Sequence, residues 1–225
     1  MLDLQFGSGK DVTIIGFGSL LSITSSKGTF PGLKNFRLVR VHDFRRVFQH
    51  PAFIFFERGI AVGNRTSSLS TEPVEGSSFL GVAFEIEGCT KEDFVKREEE
   101  FDFRLADYTT VESSGQGQVQ GQGIICGVAT DDVFIERWGV ERYSQCLEKY
   151  GLSGIWENDK SILPCTVYLR HCVLAAKSVS DECHASFLDD TLLVDRKTTI
   201  RQYLLENPEV MTTLPPDSLI GRYSG

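Results

Sequence analysis

Most of the signatures that would settle a function are missing from this chain. Apolar runs such as Ile14–Ile15 and Phe53–Phe56 fall far short of the roughly 20 residues needed to span a bilayer. The first twelve residues hold no basic region followed by an apolar stretch, so no signal peptide is expected. Basic residues are in the minority, 23 Lys and Arg against 31 Asp and Glu, for a net charge of −8. Phosphate would meet a like-signed field, which argues against nucleic acid and anionic membrane surfaces as partners. The six cysteines (Cys89, Cys126, Cys146, Cys165, Cys172 and Cys183) include no C-x-x-C pair. In a chain long enough to build a core, that pattern reads as reduced thiols rather than a disulfide framework. The cytosol is the expected compartment; an organelle protein stripped of its transit peptide would read the same.

Motifs for cofactors and covalent chemistry are missing too. Gly7-Ser8-Gly9-Lys10 lacks both the earlier glycine and the following Ser or Thr of a P-loop. Gly16-x-Gly18 follows a strand-like run, but Leu21 stands where a dinucleotide fingerprint needs its third glycine. No G-x-S-x-G elbow occurs. His171, Cys172, Cys183 and His184 show no paired zinc-ligand spacing, and Asp189-Asp190 reads as a helix end or turn. No metal and no cofactor is expected.

What remains is ordinary globular composition, 41% hydrophobic and 24% charged over 225 residues, which fits one domain spanning 1–225. Strands are expected at Val12–Ile15, in one or two pieces over Phe36–Phe48, at Phe53–Phe56, at Gly59–Val62 and at Phe79–Ile86. Thr90 and Asp93 predict the N-terminus of a helix running through Glu100, after which a strand resumes near Tyr108–Val111. Ser113–Gly123 is glycine-rich and polar and reads as a flexible loop or hairpin. Val140, Tyr143, Leu147 and Tyr150 share a helical face, with Gly151 as its C-cap. Val167–Leu174 is strand-like, while Ser180–Leu188 and Thr198–Glu206 read as helices. The last stretch, with Pro215-Pro216, reads as an irregular tail. Strands in the first half and helices in the last third make the class α+β.

Two features carry chemistry. The turn Gly16-Phe17-Gly18 is either a tight turn using positive φ, the reading its residues favour, or a nest of backbone N–H groups for an anion or carbonyl. In Arg97-Glu98-Glu99-Glu100, Glu98 shares the apolar stripe of Phe94 and Phe101. Glu100 falls with Lys96 and Arg97 on the side expected to face water, and Glu99 lies between. A carboxylate on a buried face resists ionisation. Glu98 is therefore either paired with Arg45 or Arg46, or it transfers protons.

A strand ending in Phe17-Gly18-Ser19-Leu20-Leu21, with Arg97-Glu98 some eighty residues later, resembles the γ-glutamylcyclotransferase-like superfamily, which includes ChaC-type and γ-glutamylamine enzymes. Val41–Phe48 and Gly81–Ile86 are similar to two intermediate strands of that family, and the resemblance covers roughly residues 12 to 111. Phe17 stands where the family usually has tyrosine, and Asp43 where it has glycine. The resemblance implies a small mixed β-barrel flanked by helices, over about 12–175; a helical C-terminal extension over about 176–225 is expected beyond the family's core. It also implies a small-molecule γ-glutamyl substrate, bound by backbone N–H groups of Phe17, Gly18, Ser19 and Leu20. Glu98 would be the catalytic base that frees the substrate's α-amine to attack its own γ-carbonyl. The products would be 5-oxoproline and a free amine. An alternative on the same barrel is a catalytically silent binding or interaction module.

Overall fold

Five strands close on themselves. In a computed structural model that describes residues 11–88, 90–111, 119–157 and 161–225, they are β1 (Val12–Gly16), β2 (Lys34–Pro51), β3 (Arg65–Ile86), β4 (Asp102–Thr110) and β5 (Gln120–Gly127). β3 pairs antiparallel with both β1 and β2, β2 with β4, and β4 with β5. β1 and β5 then meet in parallel at Ile14 and Ile124, which shuts the ring. The result is the small mixed β-barrel of an α+β protein, the architecture that the resemblance implies. Two short strands extend it: β6 (Leu163–Pro164) lies parallel to the start of β3, and β7 (Thr191–Leu192) parallel to β2.

The 18-residue β2 and 22-residue β3 are long enough to serve two sides of the barrel, and they bend at register shifts. One lies between His42 and Phe44, where Asp43 takes φ 58°. Aspartate is among the few non-glycine residues that tolerate this left-handed region, and its carboxylate accepts the Gly76 N–H at 2.8 Å. Asp43 thus occupies a glycine-type position without being one. Ile14, Ile15, Phe48, Leu69, Phe79, Phe84, Ile124 and Ile125 are all buried; the consecutive pairs Ile14–Ile15 and Ile124–Ile125 point to opposite faces of their strands, so both faces of the sheet are covered there.

The helices are α1 (Ile23–Thr29), α2 (Phe53–Glu57), α3 (Lys91–Arg97), α4 (Asp131–Trp138), α5 (Val140–Tyr150), α6 (Thr166–Val179), α7 (Asp181–Asp189) and α8 (Ile200–Glu206). Caps explain several boundaries. Thr90, Thr130, Ser180 and Thr199 each accept a backbone N–H in the first turn that follows, and Gly151 ends α5 in the left-handed conformation. Among the described residues no helix is long and apolar enough to cross a membrane.

Four expectations are corrected. Phe53–Phe56 is helix, not strand; Phe53 and Phe55 are buried while Ile54 is exposed. A short apolar run looks the same in either state. Gly59–Val62 is a turn at Gly59 (φ 65°) followed by irregular chain, with Val62 69% exposed and joined only to Arg65 by an isolated bridge. Val167–Leu174 belongs to α6, a helix buried on several sides (Val167, Leu169, Cys172, Val173, Ala176) and so without a one-sided apolar stripe. Of the expected flexible loop or hairpin Ser113–Gly123, residues 113–118 lie outside the described ones, while residues 120–123 belong to strand β5, which pairs antiparallel with β4 as a hairpin does. There a Cβ on Gly121 would stand 2.5 Å from the Tyr108 ring, and one on Gly123 2.9 Å from Ile15. Those glycines meet close packing rather than a need for flexibility.

α6 packs on the 3-10 turn Ser19–Leu21 and on α7, and α7 packs on β3. One side chain ties that layer to the barrel. Arg46 is fully enclosed, with its guanidinium over the rings of Phe79 and Phe187. It donates to Leu80 O at 3.1 Å and to Ser186 O at 2.7 Å. The Ser186 hydroxyl in turn donates to Asp190 at 2.7 Å. Burial lowers the Arg46 pKa to about 10, against the opposing pull of Cys183, Asp190 and Cys172.

Candidate active site

α3 stops at Arg97, short of the expected Glu100. Glu98 is its C-cap (φ −109°, ψ 46°), and the following carbonyls are claimed from outside the helix. Trp138 Nε1 donates to Glu99 O at 3.1 Å and Trp156 Nε1 to Glu100 O at 2.8 Å. Leaving the helix re-aims all three carboxylates. Glu100, expected to face water, is buried at 9% exposure. Glu98 keeps a fifth of its side-chain surface and lines a cavity.

That cavity has a volume of about 800 Å³. It is lined by Ile14, Ile15, Leu69 and Tyr168, by the loop residues Phe17, Gly18, Ser19 and Leu20, and by the segment Glu98, Glu99, Glu100 and Phe101. Arg142, Gln145, Cys146 and Lys149 of α5 also line it. They stand at i, i+3, i+4 and i+7, one face of that helix. Arg142 pairs with Glu99, and Lys149 with Glu57 at 3.5 Å. The structure therefore brings every candidate site residue, Phe17, Gly18, Ser19, Leu20 and Glu98, to one cavity.

Glu98 does not meet either arginine considered for it. Arg45 pairs with Glu72, and Arg46 lies in the α7 layer. Its partner is the adjacent Arg97, 3.0 Å away. Burial raises the Glu98 pKa above the usual carboxylate range; Arg97 opposes this, Glu100 adds to it, and Arg222 opposes it. A carboxylate that holds its proton more tightly than usual is suited to exchanging protons with an amine near neutral pH.

The Gly16–Gly18 loop does not use positive φ. Gly18 has φ −132° and Gly16 is not among the positive-φ glycines. Space is the requirement instead: a Cβ on Gly16 would lie 2.9 Å from Leu20 and Val82, and one on Gly18 2.8 Å from the Tyr168 hydroxyl. Among the described residues, the N–H groups of Gly18, Ser19 and Leu20 donate to no backbone carbonyl, whereas Leu21 N–H already donates to Gly18 O at 2.9 Å. All three of these residues line the cavity. Gly18→Ala is expected to destabilise the protein by about 1–3 kcal/mol through overpacking, and adding Tyr168→Phe should recover most of that. Thermal unfolding of the single and double variants checks both, and an unchanged Tm in the single variant would refute the clash.

Tyr168 is a site residue that the sequence reading missed. Phe17 has no hydroxyl, yet α6 brings the Tyr168 phenol against the same loop, close to Gly18 and beside Cys172 and Ser68. Burial pushes its pKa well up, so the hydroxyl keeps its proton. Its strand-like sequence context gave no sign of this placement.

The C-terminal segment supplies another wall. Arg222 and Tyr223 line the cavity, and the Tyr223 hydroxyl accepts from Arg58 at 2.5 Å. His171 supports this wall. Its Nδ1 accepts from Gly225 N–H at 3.0 Å, its Nε2 lies 3.3 Å from the Ser25 hydroxyl, and its ring meets Tyr223 edge-on. Burial lowers the His171 pKa to about 4, opposed by the Ser19 backbone and aided by Arg222 and Arg170. The stability this contributes is complete above pH 6.5 and is lost as pH falls through the window from 6.5 to about 4, on the order of 3 kcal/mol in all. His171→Gln should flatten the pH dependence of Tm across that window; an equally steep variant would remove His171 as its source.

The cavity's thiols are not prepared as nucleophiles. Burial raises the Cys126 pKa strongly and that of Cys146 as well, which keeps both as thiols. All five described cysteines are free, three of them buried; Cys89 lies outside the described residues. Among the described residues no three His, Cys, Asp or Glu side chains are grouped to hold a metal ion.

The class that fold and site define is an α+β barrel protein with an acid-bearing cavity beside a glycine loop. Comparison with known protein families finds no match, and comparison with curated proteins finds none either. Among solved structures the chain is similar to a γ-glutamyl cyclotransferase, at 12% identity over 69% of this chain and 89% of that one, with a TM-score of 0.37. It is also similar to an uncharacterised protein from Homo sapiens, at 11% identity over 68% of this chain and 89% of that one, TM-score 0.37. A protein from Arabidopsis thaliana solved in solution matches at 14% identity over 64% of this chain and 91% of that one, TM-score 0.35. At these values the likeness carries no weight for chemistry, which rests on the cavity's own residues.

Proposed function

We propose that the protein is a γ-glutamylcyclotransferase-type enzyme. It would cyclise the γ-glutamyl group of a peptide, amino acid or amine, glutathione included, to 5-oxoproline and release the amine. One observation carries the reading: Glu98, a carboxylate of raised proton affinity, lines the same cavity as Gly18, Ser19 and Leu20, whose N–H groups have no backbone acceptor among the described residues. An α-ammonium is unreactive until it loses a proton, and Glu98 is the group to take it. The freed amine attacks the γ-carbonyl of its own molecule, a ring closure in which the two reacting groups are already tethered. Charge then develops on the carbonyl oxygen, where the donors of Gly18, Ser19 and Leu20 would stabilise it. Because the nucleophile belongs to the substrate, the reaction calls for no cofactor.

The test is 5-oxoproline release from a panel of glutathione, γ-glutamyl amino acids and γ-glutamyl amines. Turnover of at least one supports the reading, and turnover of none refutes it. A second reading, ligand binding without turnover, draws on the Arg97–Glu98 pair, which occupies the carboxylate in the absence of substrate. Saturable binding of a panel member without 5-oxoproline release would favour it.

A further inference from the structure

Ring closure of a γ-glutamyl amide moves two protons, not one. The substrate's α-ammonium enters with three. As the N–C bond of the lactam forms and the old amide C–N bond breaks, one proton stays on the lactam nitrogen. The leaving nitrogen held one as an amide and departs as an ammonium with three. Two protons therefore pass from the attacking to the leaving nitrogen, and one carboxylate holds only one at a time.

A second carboxylate lines the same cavity. Glu100 is buried, its Oε1 fixed by the Phe53 N–H at 2.6 Å and its main chain held by Trp156. Its Oε2 faces His50 Nε2 at 3.5 Å, beyond ordinary hydrogen-bond length. His50 reaches this position from β2 and is completely buried, stacked on Trp156 at 4.2 Å and edge-on to Phe101 at 4.8 Å. Neither of its ring nitrogens makes a hydrogen bond among the described residues. Packing alone does not account for it, since a phenylalanine would fill the slot without burying two bare polar atoms. A proton taken up by the pair does account for it: lying between Glu100 Oε2 and His50 Nε2, it would give His50 the hydrogen bond it lacks. The other ionisable groups acting on this corner are Glu98 and Glu99 of the same segment and Cys146 of α5.

We propose that Glu100, backed by His50, is the second proton carrier of the reaction, holding one proton from the attacking nitrogen while Glu98 delivers the other to the leaving nitrogen. This rests on the cyclotransferase reading. Glu100→Gln is the main test, because a glutamine oxygen still accepts from Phe53 N–H while the group can no longer cycle a proton. The full-length variant is expected to lose kcat by roughly ten- to a hundredfold, with KM unchanged. The dependence of rate on deuterium content, bowed in the wild type by two moving protons, should become linear. His50→Phe, which keeps the stacking, should lower kcat less and leave KM alone. Glu100→Gln with wild-type kcat and a bowed profile would overturn the inference. So would a linear profile in the wild type, a measurement that needs no variant to fold. A wild type that releases no 5-oxoproline from any substrate overturns the cyclotransferase reading itself, and so the two failures are told apart.

Discussion

Glu98→Gln is expected to reduce 5-oxoproline release by about a hundredfold or more, the usual contribution of a positioned acid–base group. The substitution preserves size and leaves an oxygen for Arg97 while removing the capacity to take a proton. Stability should move the other way. The Glu98 pKa is raised in the fold by burial, so the carboxyl's contribution to stability is present below the unfolded value of 4.5. It is lost as pH rises through the folded value. At neutral pH the wild type carries a poorly hydrated carboxylate and the variant carries none. The variant's Tm should therefore equal or exceed that of the wild type at pH 7, with the difference shrinking towards pH 4. The same raised pKa places the acid limb of the wild-type rate profile above the ordinary carboxylate range. A Glu98→Gln protein that keeps more than about a tenth of the wild-type rate would show that another group is the base.

The largest stability effect is expected at Arg46. Truncating it to alanine strips the donors from Leu80 O and Ser186 O, empties the slot between Phe79 and Phe187, and leaves Asp190 without a nearby cation. Breaking a buried charged network of this kind typically costs about 3–5 kcal/mol. In a chain of this size that corresponds to a fall in Tm of roughly 6–20 °C. Arg46→Met, which refills the slot with apolar volume, should fall less. Thermal unfolding of both variants is the measurement, and an alanine variant within about 1 kcal/mol of wild type would mean that α7 does not depend on this tie.

The barrel strands were legible wherever one period held. Val12–Ile15 and Phe79–Ile86 lie in strands because β-branched and aromatic residues ran up to clear glycine or serine punctuation. Helices α5, α7 and α8 were legible from one-sided faces and capping residues. Reading failed where burial was all-round, as in α6, or where a run was too short to show a period, as at Phe53–Glu57. At the site, helical spacing led to Glu98, though Glu98 stands at the cap of α3 rather than on its stripe. Continuing the helix three residues too far also put Glu100 on the wrong side. Two tryptophan side chains, from residues nearly 40 and 56 positions further on, draw that segment off the helical path, and no local pattern encodes such distant bonds. Tyr168, Arg222 and Tyr223 reach the cavity through tertiary packing alone.

α5 turns one face to the cavity and buries none of its eleven residues. Its ties to the body run through partly exposed side chains: the ion pairs of Arg142 and Lys149, hydrogen bonds from Tyr143 to Asp131 and Tyr150 to Glu57, Arg142 over Trp138, and ring contacts of Tyr143 with Phe134 and of Tyr150 with Phe53 and Phe56. A segment held this lightly opens at far lower free energy than the strands beneath it. Its amide hydrogens should exchange with solvent long before those of β2 and β3, so that this side of the cavity opens while the barrel stays shut.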